Sequence, residues 1–201
     1  MPKIINKKRK KQQILEAAIE VFARKGFKET KISSIAENAG IGKGTVYEYF
    51  TSKDELFQNA FYLFMDEINN AIAEKIYNIL DPMEKIKAFF NACIELLDSP
   101  LSDFMEVILD FWAEGIKNKD KEAGIDLKTM YEEYRLMIQN LLDDCIIQNK
   151  LRKVDTHITS SLIIGALDGL MIQWVVDKNV FDLKDGIKSL GDMVIDSLKI
   201  Q

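Results

Sequence analysis

The sequence predicts an all-α protein of about nine helices, in which a small three-helix head runs without a break into a larger helical body. Three observations carry that prediction. Apolar residues recur at helical spacing along the whole chain. The stripes are interrupted at Gly26, Gly40, Asp81-Pro82, Ser99-Pro100, Gly124 and Asp155, where helices end or begin. A chain of 201 residues that is 47% hydrophobic can bury a substantial core, and it has no repeat, low-complexity tract or floppy linker.

In the head, Ile14, Ala18, Val21 and Phe22 mark a first helix that stops at Arg24-Lys25-Gly26, with basic residues in its last turn. Thr30 precedes a short second helix striped by Ile32, Ile35, Ala36 and Ala39 and closed by Gly40. A third short helix covers Lys43 to Phe50, with Val46 and Phe50 four apart and facing the other two. Thr51-Ser52-Lys53-Asp54-Glu55 places hydroxyls before carboxylates and opens a long fourth helix toward Ile79. Two short helices joined by a glycine-containing turn and braced by a third form the helix-turn-helix arrangement, whose second helix enters the major groove of DNA.

Charge agrees with that arrangement. The chain has a net charge of -5, but residues 1 to 53 carry +7 and the remainder -12, so a basic module is joined to an acidic body. Lys7, Lys8, Arg9, Lys10 and Lys11 form one run, expected to be part of a flexible basic arm over residues 1 to 11. Lys43, Gly44 and Thr45 would lead the recognition helix, where lysine reaches guanine edges and exposed N–H groups meet phosphate. Tyr47 and Tyr49 offer phenolic donors, Glu48 either accepts from cytosine N4 or points to solvent, and Lys53 combines a cation with a helix N-terminus as a phosphate clamp. Gly40 and Gly42 are expected to adopt backbone conformations that a side chain penalises.

The stretch ILEAAIEVFARKGFKETKISSIAENAGIGKGTVYEYFTSKDELF, Ile14 to Phe57, resembles the DNA-binding domain of the TetR family of bacterial transcription repressors. The likeness lies in "AA..VF...G" of the first helix, "T...IA..AG" of the second, "GTVY.YF" of the third and "SK..L" of the fourth. It implies a homodimer whose helical C-terminal domain binds a small molecule and thereby releases a palindromic operator. By the family pattern the DNA contacts are Ser33, Gly42, Lys43, Gly44, Thr45, Tyr47, Tyr49 and Lys53. Lys31 stands where many members carry a second hydroxyl, which would turn a neutral hydrogen bond into a salt-dependent contact. The domains are then residues 1 to 53 for DNA and 54 to 201 for effector binding and dimerisation. A transcriptional activator and a ligand-independent architectural DNA-binding protein are the alternatives.

In the body, helices are expected over 83 to 98, 101 to 118, 125 to 149, 155 to 178 and 184 to 199. The last two suit self-association: Leu162, Ala166, Gly169 and Leu170 on one, with Gly165 leaving room for approach, and Ile187, Leu190 and Val194 on the other. Phe89, Cys93, Phe104, Ile108, Phe111, Trp112, Met130, Tyr134, Met137 and Trp174 supply aromatic and sulfur-rich surface for an effector cavity. Glu106, Asp110 and Glu114 recur every four residues, as a solvated stripe or as counter-charges to a cationic effector. The segments FWAEG and ALDGL are similar to pieces of many C-terminal domains of the family.

Enzymatic function is excluded on residue chemistry. His157 is the single histidine, no Cys or His stands at metal-ligand spacing, and neither a phosphate loop nor a nucleophile elbow occurs, so no catalytic residue, metal or cofactor is expected. Cys93 and Cys145 sit in apolar helical patterns, as reduced thiols packed like small hydrophobes do. The apolar run Leu162 to Val176 is cut by Asp168 and Gln173 and is too short for a bilayer, and the N-terminus lacks a secretory pattern. A cytoplasmic protein with no membrane partner is expected.

Overall fold

A computed structural model describes residues 7–98, 107, 109, 112, 116 and 126–200. Among these it contains eight helices and no strand: α1 Lys7–Glu29, α2 Ile32–Asn38, α3 Lys43–Tyr47, α4 Lys53–Tyr77, α5 Pro82–Leu96, α6 Leu127–Ile147, α7 Thr156–Val176 and α8 Leu183–Leu198. The ninth helix, expected over 101 to 118, lies outside the described residues except for Val107, Leu109, Trp112 and Ile116, which are helical.

The chain forms two compact units that divide inside α4, between Ile68 and Asn69. The first of them also takes in residues 100–125, and the first turns of α4 complete the core of the head. Leu56, Phe57, Ala60, Phe61 and Phe64 are all buried. The ring of Phe57 packs against Phe22 and Phe27 at centroid distances of 4.8 and 4.3 Å.

Two expectations about the head are corrected. Lys7 to Lys11 are part of helix α1 rather than of a flexible arm. The reason is local: Lys, Arg and Gln are good helix formers and no breaker separates them from Ile14. Thr30 does not cap α2. Its buried hydroxyl donates to the Gly26 carbonyl at 2.7 Å, and the N-cap position falls to Lys31, which makes no side-chain cap. Gly26 itself interrupts α1 as expected, with φ 70°.

In the second unit, all four helices that begin there start behind an aspartate. Asp81, Asp126, Asp155 and Asp182 each accept a backbone N–H of the first turn, satisfying donors that have no intrahelical partner. α5 packs against α6 and α8, and α7 packs against α6 and α8. The approach of α8 to α5 depends on Gly191, where a Cβ would lie 2.9 Å from the Phe90 ring. The Arg152 N–H donates to the Leu198 carbonyl, tying the segment after α6 to the end of α8.

By length and composition alone, the 21 residues of α7, which extend beyond the apolar run Leu162 to Val176, reach the dimensions of a membrane span. Asp168 lies in its middle and two helices pack along it.

Candidate nucleic-acid interface

Polar pairs fix α2 against α1, the helix that braces the helix-turn-helix. Gln13 Nε2 donates to the Ala39 carbonyl at 2.8 Å, closing the C-terminal end of α2. Asn38 accepts from Arg24 at 3.1 Å and donates to Glu20 at 2.8 Å, while Lys25 reaches Ser34 at 3.3 Å. The turn to α3 passes through Gly40, whose φ of 63° is accessible to glycine at little cost. Gly42 differs from expectation: its φ of -73° suits any residue, and a Cβ there would only touch the Thr45 hydroxyl.

α3 is anchored from below and open above. Val46 and Phe50 are buried against the head, as their spacing predicts. Gly42, Lys43, Gly44 and Tyr47 are exposed, Thr45 and Tyr49 are half-buried, and among the described residues outside its own helix backbone and immediate neighbours nothing lies within 4 Å of where a Gly44 Cβ would be. Lys43 and Tyr47 share one face, with the Lys43 ammonium 5.7 Å from the Tyr47 ring centroid. Lys31 and Ser33 stand exposed at the start of α2. The first turns of α1 add a charged edge beside this surface, because Lys11 lies 5.4 Å from the ring of Phe50.

Lys53 is placed differently from the other candidates. Its ammonium turns into the head and donates to the carbonyls of Phe27, Thr30 and Lys28. The start of α4 is capped by two other groups that the hydroxyl-carboxylate pattern had signalled. Ser52 Oγ accepts from the Glu55 N–H at 3.0 Å, and Glu55 accepts from both the N–H and the hydroxyl of Thr51 at 2.6 Å. Those two bonds hold the Glu55 carboxyl below its ordinary value of 4.5.

Of the residues expected to line an effector cavity, Phe104, Ile108 and Phe111 lie outside the described residues, as do Glu106, Asp110 and Glu114. Trp112 belongs to the first unit; Phe89, Cys93, Met130, Tyr134, Met137 and Trp174 belong to the second. Phe89 is buried against Phe90, and the others are half-buried. Burial pushes the Cys93 thiol up to about 12, which keeps it protonated and inert. Sequence reasoning missed one pair in this unit: Tyr131 Oη donates to Asp168 Oδ2 at 2.8 Å, and burial raises the Asp168 carboxyl above its ordinary range. The signal was a lone carboxylate in an apolar helix.

The self-association set is partly redrawn. Ile187 and Leu190 are buried in the core of their own unit, and Ala166, Leu170 and Val194 are half-buried. Leu162 is 68% exposed, and both Gly165 and Gly169 face open space. With Ile158, Ile172 and Val176 they form one uncovered stripe along α7, at alternating spacings of four and three. Met193, not Ile187, is the exposed apolar residue of α8.

A tight helix-turn-helix with an outward-facing, cationic recognition helix, carried on an all-helical body, defines a DNA-binding transcription regulator. The sequence profiles agree. Residues 14–60 match the bacterial regulatory proteins of the tetR family, and residues 82–198 match the C-terminal region of BetI-type transcriptional repressors. This chain belongs to the TetR family of transcriptional regulators; it is not an enzyme. It is 22% identical over 193 residues to the fatty acid metabolism regulator protein of Bacillus subtilis, covering 96% of this chain and 97% of the relative. It is 26% identical over 192 residues to the nicotine-responsive transcriptional repressor HdnoR of Paenarthrobacter nicotinovorans, covering 93% and 94%. A transcriptional regulator from Saccharomonospora viridis, solved in complex with choline, has the same fold with a TM-score of 0.84 at 22% identity, over 96% of this chain and all of that one.

Proposed function

We propose that this regulator is a ligand-responsive repressor that binds a palindromic operator as a homodimer and is released from it by a small, mostly hydrophobic effector. The observation that carries the reading is the outward face of α3, where Lys43, Gly44 and Tyr47 are exposed. Lys43 reads a base edge, the helix start and Tyr49 hold phosphates, and Lys31 and Ser33 fix the register. The uncovered stripe on α7 supports the dimer, since a single helix-turn-helix spans too few base pairs to discriminate well and a two-fold pair doubles the site. Repression fits the relatives, whose names describe repressors and regulators.

One specific observation favours a second reading of the effector, as an organic cation with an apolar body. Asp168 is a half-buried carboxyl that accepts from the Tyr131 hydroxyl, in surroundings that disfavour its charged form, and a positive head group beside it would stabilise that charge. The similar regulator solved with choline supports this reading.

The test begins with selection of a binding duplex from a random-sequence DNA pool. Next comes a thermal-shift screen of acyl-chain compounds, aromatic acids and quaternary ammonium compounds, with hits tested for release of the duplex. Stabilising hits that leave the duplex bound would defeat the ligand-responsive reading. Reporter expression that falls on deletion of the gene would make the protein an activator.

A further inference from the structure

Lys53 occupies the first position of α4, at the positive end of that helix's dipole, where a cation is disfavoured. Its side chain is nevertheless held firmly. Nζ donates to the carbonyl oxygens of Phe27 at 2.8 Å, Thr30 at 3.1 Å and Lys28 at 3.3 Å, and lies 4.3 Å from the centroid of the Phe27 ring. An ammonium has three N–H donors, so these acceptors use all of them. The acceptors are the carbonyls exposed where α1 stops and the chain turns toward α2, a place with no intrahelical donors to meet them. The same turn is closed from inside by the buried Thr30 hydroxyl on the Gly26 carbonyl. Thr30 directly precedes Lys31, the N-cap of α2, and α2 packs against α3. A continuous path of bonds and packing therefore joins the ammonium to the recognition helix.

We propose that Lys53 is a positioning residue for operator recognition, which fixes the turn from which α2, and with it α3, is presented to DNA. It acts through the carbonyls of Phe27, Lys28 and Thr30 rather than on phosphate. The proposal rests on α3 gripping DNA, and titration of the wild-type protein tests that separately.

The two roles separate in their salt dependence. A lysine on phosphate adds about 1 to the slope of log affinity against log salt and strengthens every sequence alike. A lysine that aims α3 changes how well base edges are met, so its loss falls on the preferred sequence. The experiment titrates the full-length protein on a duplex selected from a random pool and on a scrambled duplex of equal length, at several salt concentrations, with a thermal melt of each variant. Lys53→Met is expected to weaken the selected duplex by about tenfold or more while changing the scrambled one by less than about twofold, with the slope kept. Lys53→Arg keeps the charge, but its planar fork does not converge on three carbonyls at one point, so it is expected to show the same selective loss. Equal losses on both duplexes overturn the proposal, whether through a slope lower by about 1, as for a phosphate contact, or through a smaller folded fraction, as for a merely structural lysine. Restoration of both affinities by Lys53→Arg overturns it too. Should Lys53→Met fail to fold, the arginine variant decides alone: selective loss supports the proposal and wild-type affinities refute it. A wild-type protein that treats the two duplexes alike removes the DNA reading and the proposal with it.

Discussion

Truncating Leu162 to alanine should weaken the proposed dimer while leaving the single chain folded. The side chain is 68% exposed on α7, so its removal opens no cavity in its own unit. Across a two-fold interface each copy presents the same residue, and both lose it at once. Leu162→Ala deletes three carbons worth about 0.8 kcal/mol each when buried, and about two-thirds of that area is what dimerisation would cover. The loss is about 1.6 kcal/mol per copy and about 3 kcal/mol per dimer, or about 200-fold in the dissociation constant. Sedimentation equilibrium across a dilution series measures it, and a thermal melt far below the dissociation constant reports the fold by itself. An unchanged association constant would mean that the α7 stripe is not the mating surface. A large fall in the melting point of the monomer would mean that Leu162 belongs to a core.

Four more outcomes test the remaining assignments. Lys43→Ala should lower discrimination at one base-pair position by about 1 to 3 kcal/mol while sparing the others, as read by competition with single-substituted duplexes. Neutralising Lys7, Lys8, Arg9 and Lys11 together with glutamine should flatten the salt dependence of affinity and keep α1 helical by circular dichroism; an unchanged slope would mean that these turns do not reach DNA. Gly191→Ala should cost about 1 to 3 kcal/mol in a urea titration, because the new methyl meets the Phe90 ring at 2.9 Å. The depressed Glu55 carboxyl contributes stability that is complete above its unfolded value and is lost as pH falls through its lower folded value. Wild-type stability should therefore fall below about pH 4.5, and Glu55→Gln should reduce that part of the fall, in urea midpoints taken from neutral to acidic pH.

The head was legible because each of its elements is announced locally. Gly26 and Gly40 have positive φ where the sequence stops a helix, and Val46 and Phe50 are buried where their spacing points them. Charge misled where it depends on tertiary partners. Nothing near Lys53 in sequence reveals that the carbonyls of Phe27, Lys28 and Thr30 will converge on it from 23 or more residues away. Faces in the body were harder for a related reason. α7 is apolar nearly all round, so its pattern cannot say which side meets α6 and α8 and which stays open. α8 has a clear stripe, but that stripe, Ile187 and Leu190 included, serves its own core. The Tyr131–Asp168 pair joins residues 37 apart on two helices and lay beyond any local pattern.

The two units treat their helix starts in opposite ways, and the contrast bears on what each surface is for. In the second unit α5, α6, α7 and α8 all open behind aspartate, the charge that a helix N-terminus favours by about 0.3–1 kcal/mol. In the first unit α2 has Lys31 at its N-cap, α3 opens on Lys43 and α4 on Lys53. α2 and α3 have no acidic residue in the first turn and no side-chain cap, so cation and dipole reinforce each other and their first N–H groups are not capped by a side chain. Such ends are unfavourable in isolation and are relieved by an external anion, which a phosphate backbone supplies. α4 is the exception, and it is consistent with the rest. It follows its lysine with Asp54 and Glu55, caps itself with Ser52, and turns Lys53 inward. The helix start that is neutralised from within is the one whose lysine turns inward, and the two left positive, those of α2 and α3, are the ones available to meet DNA.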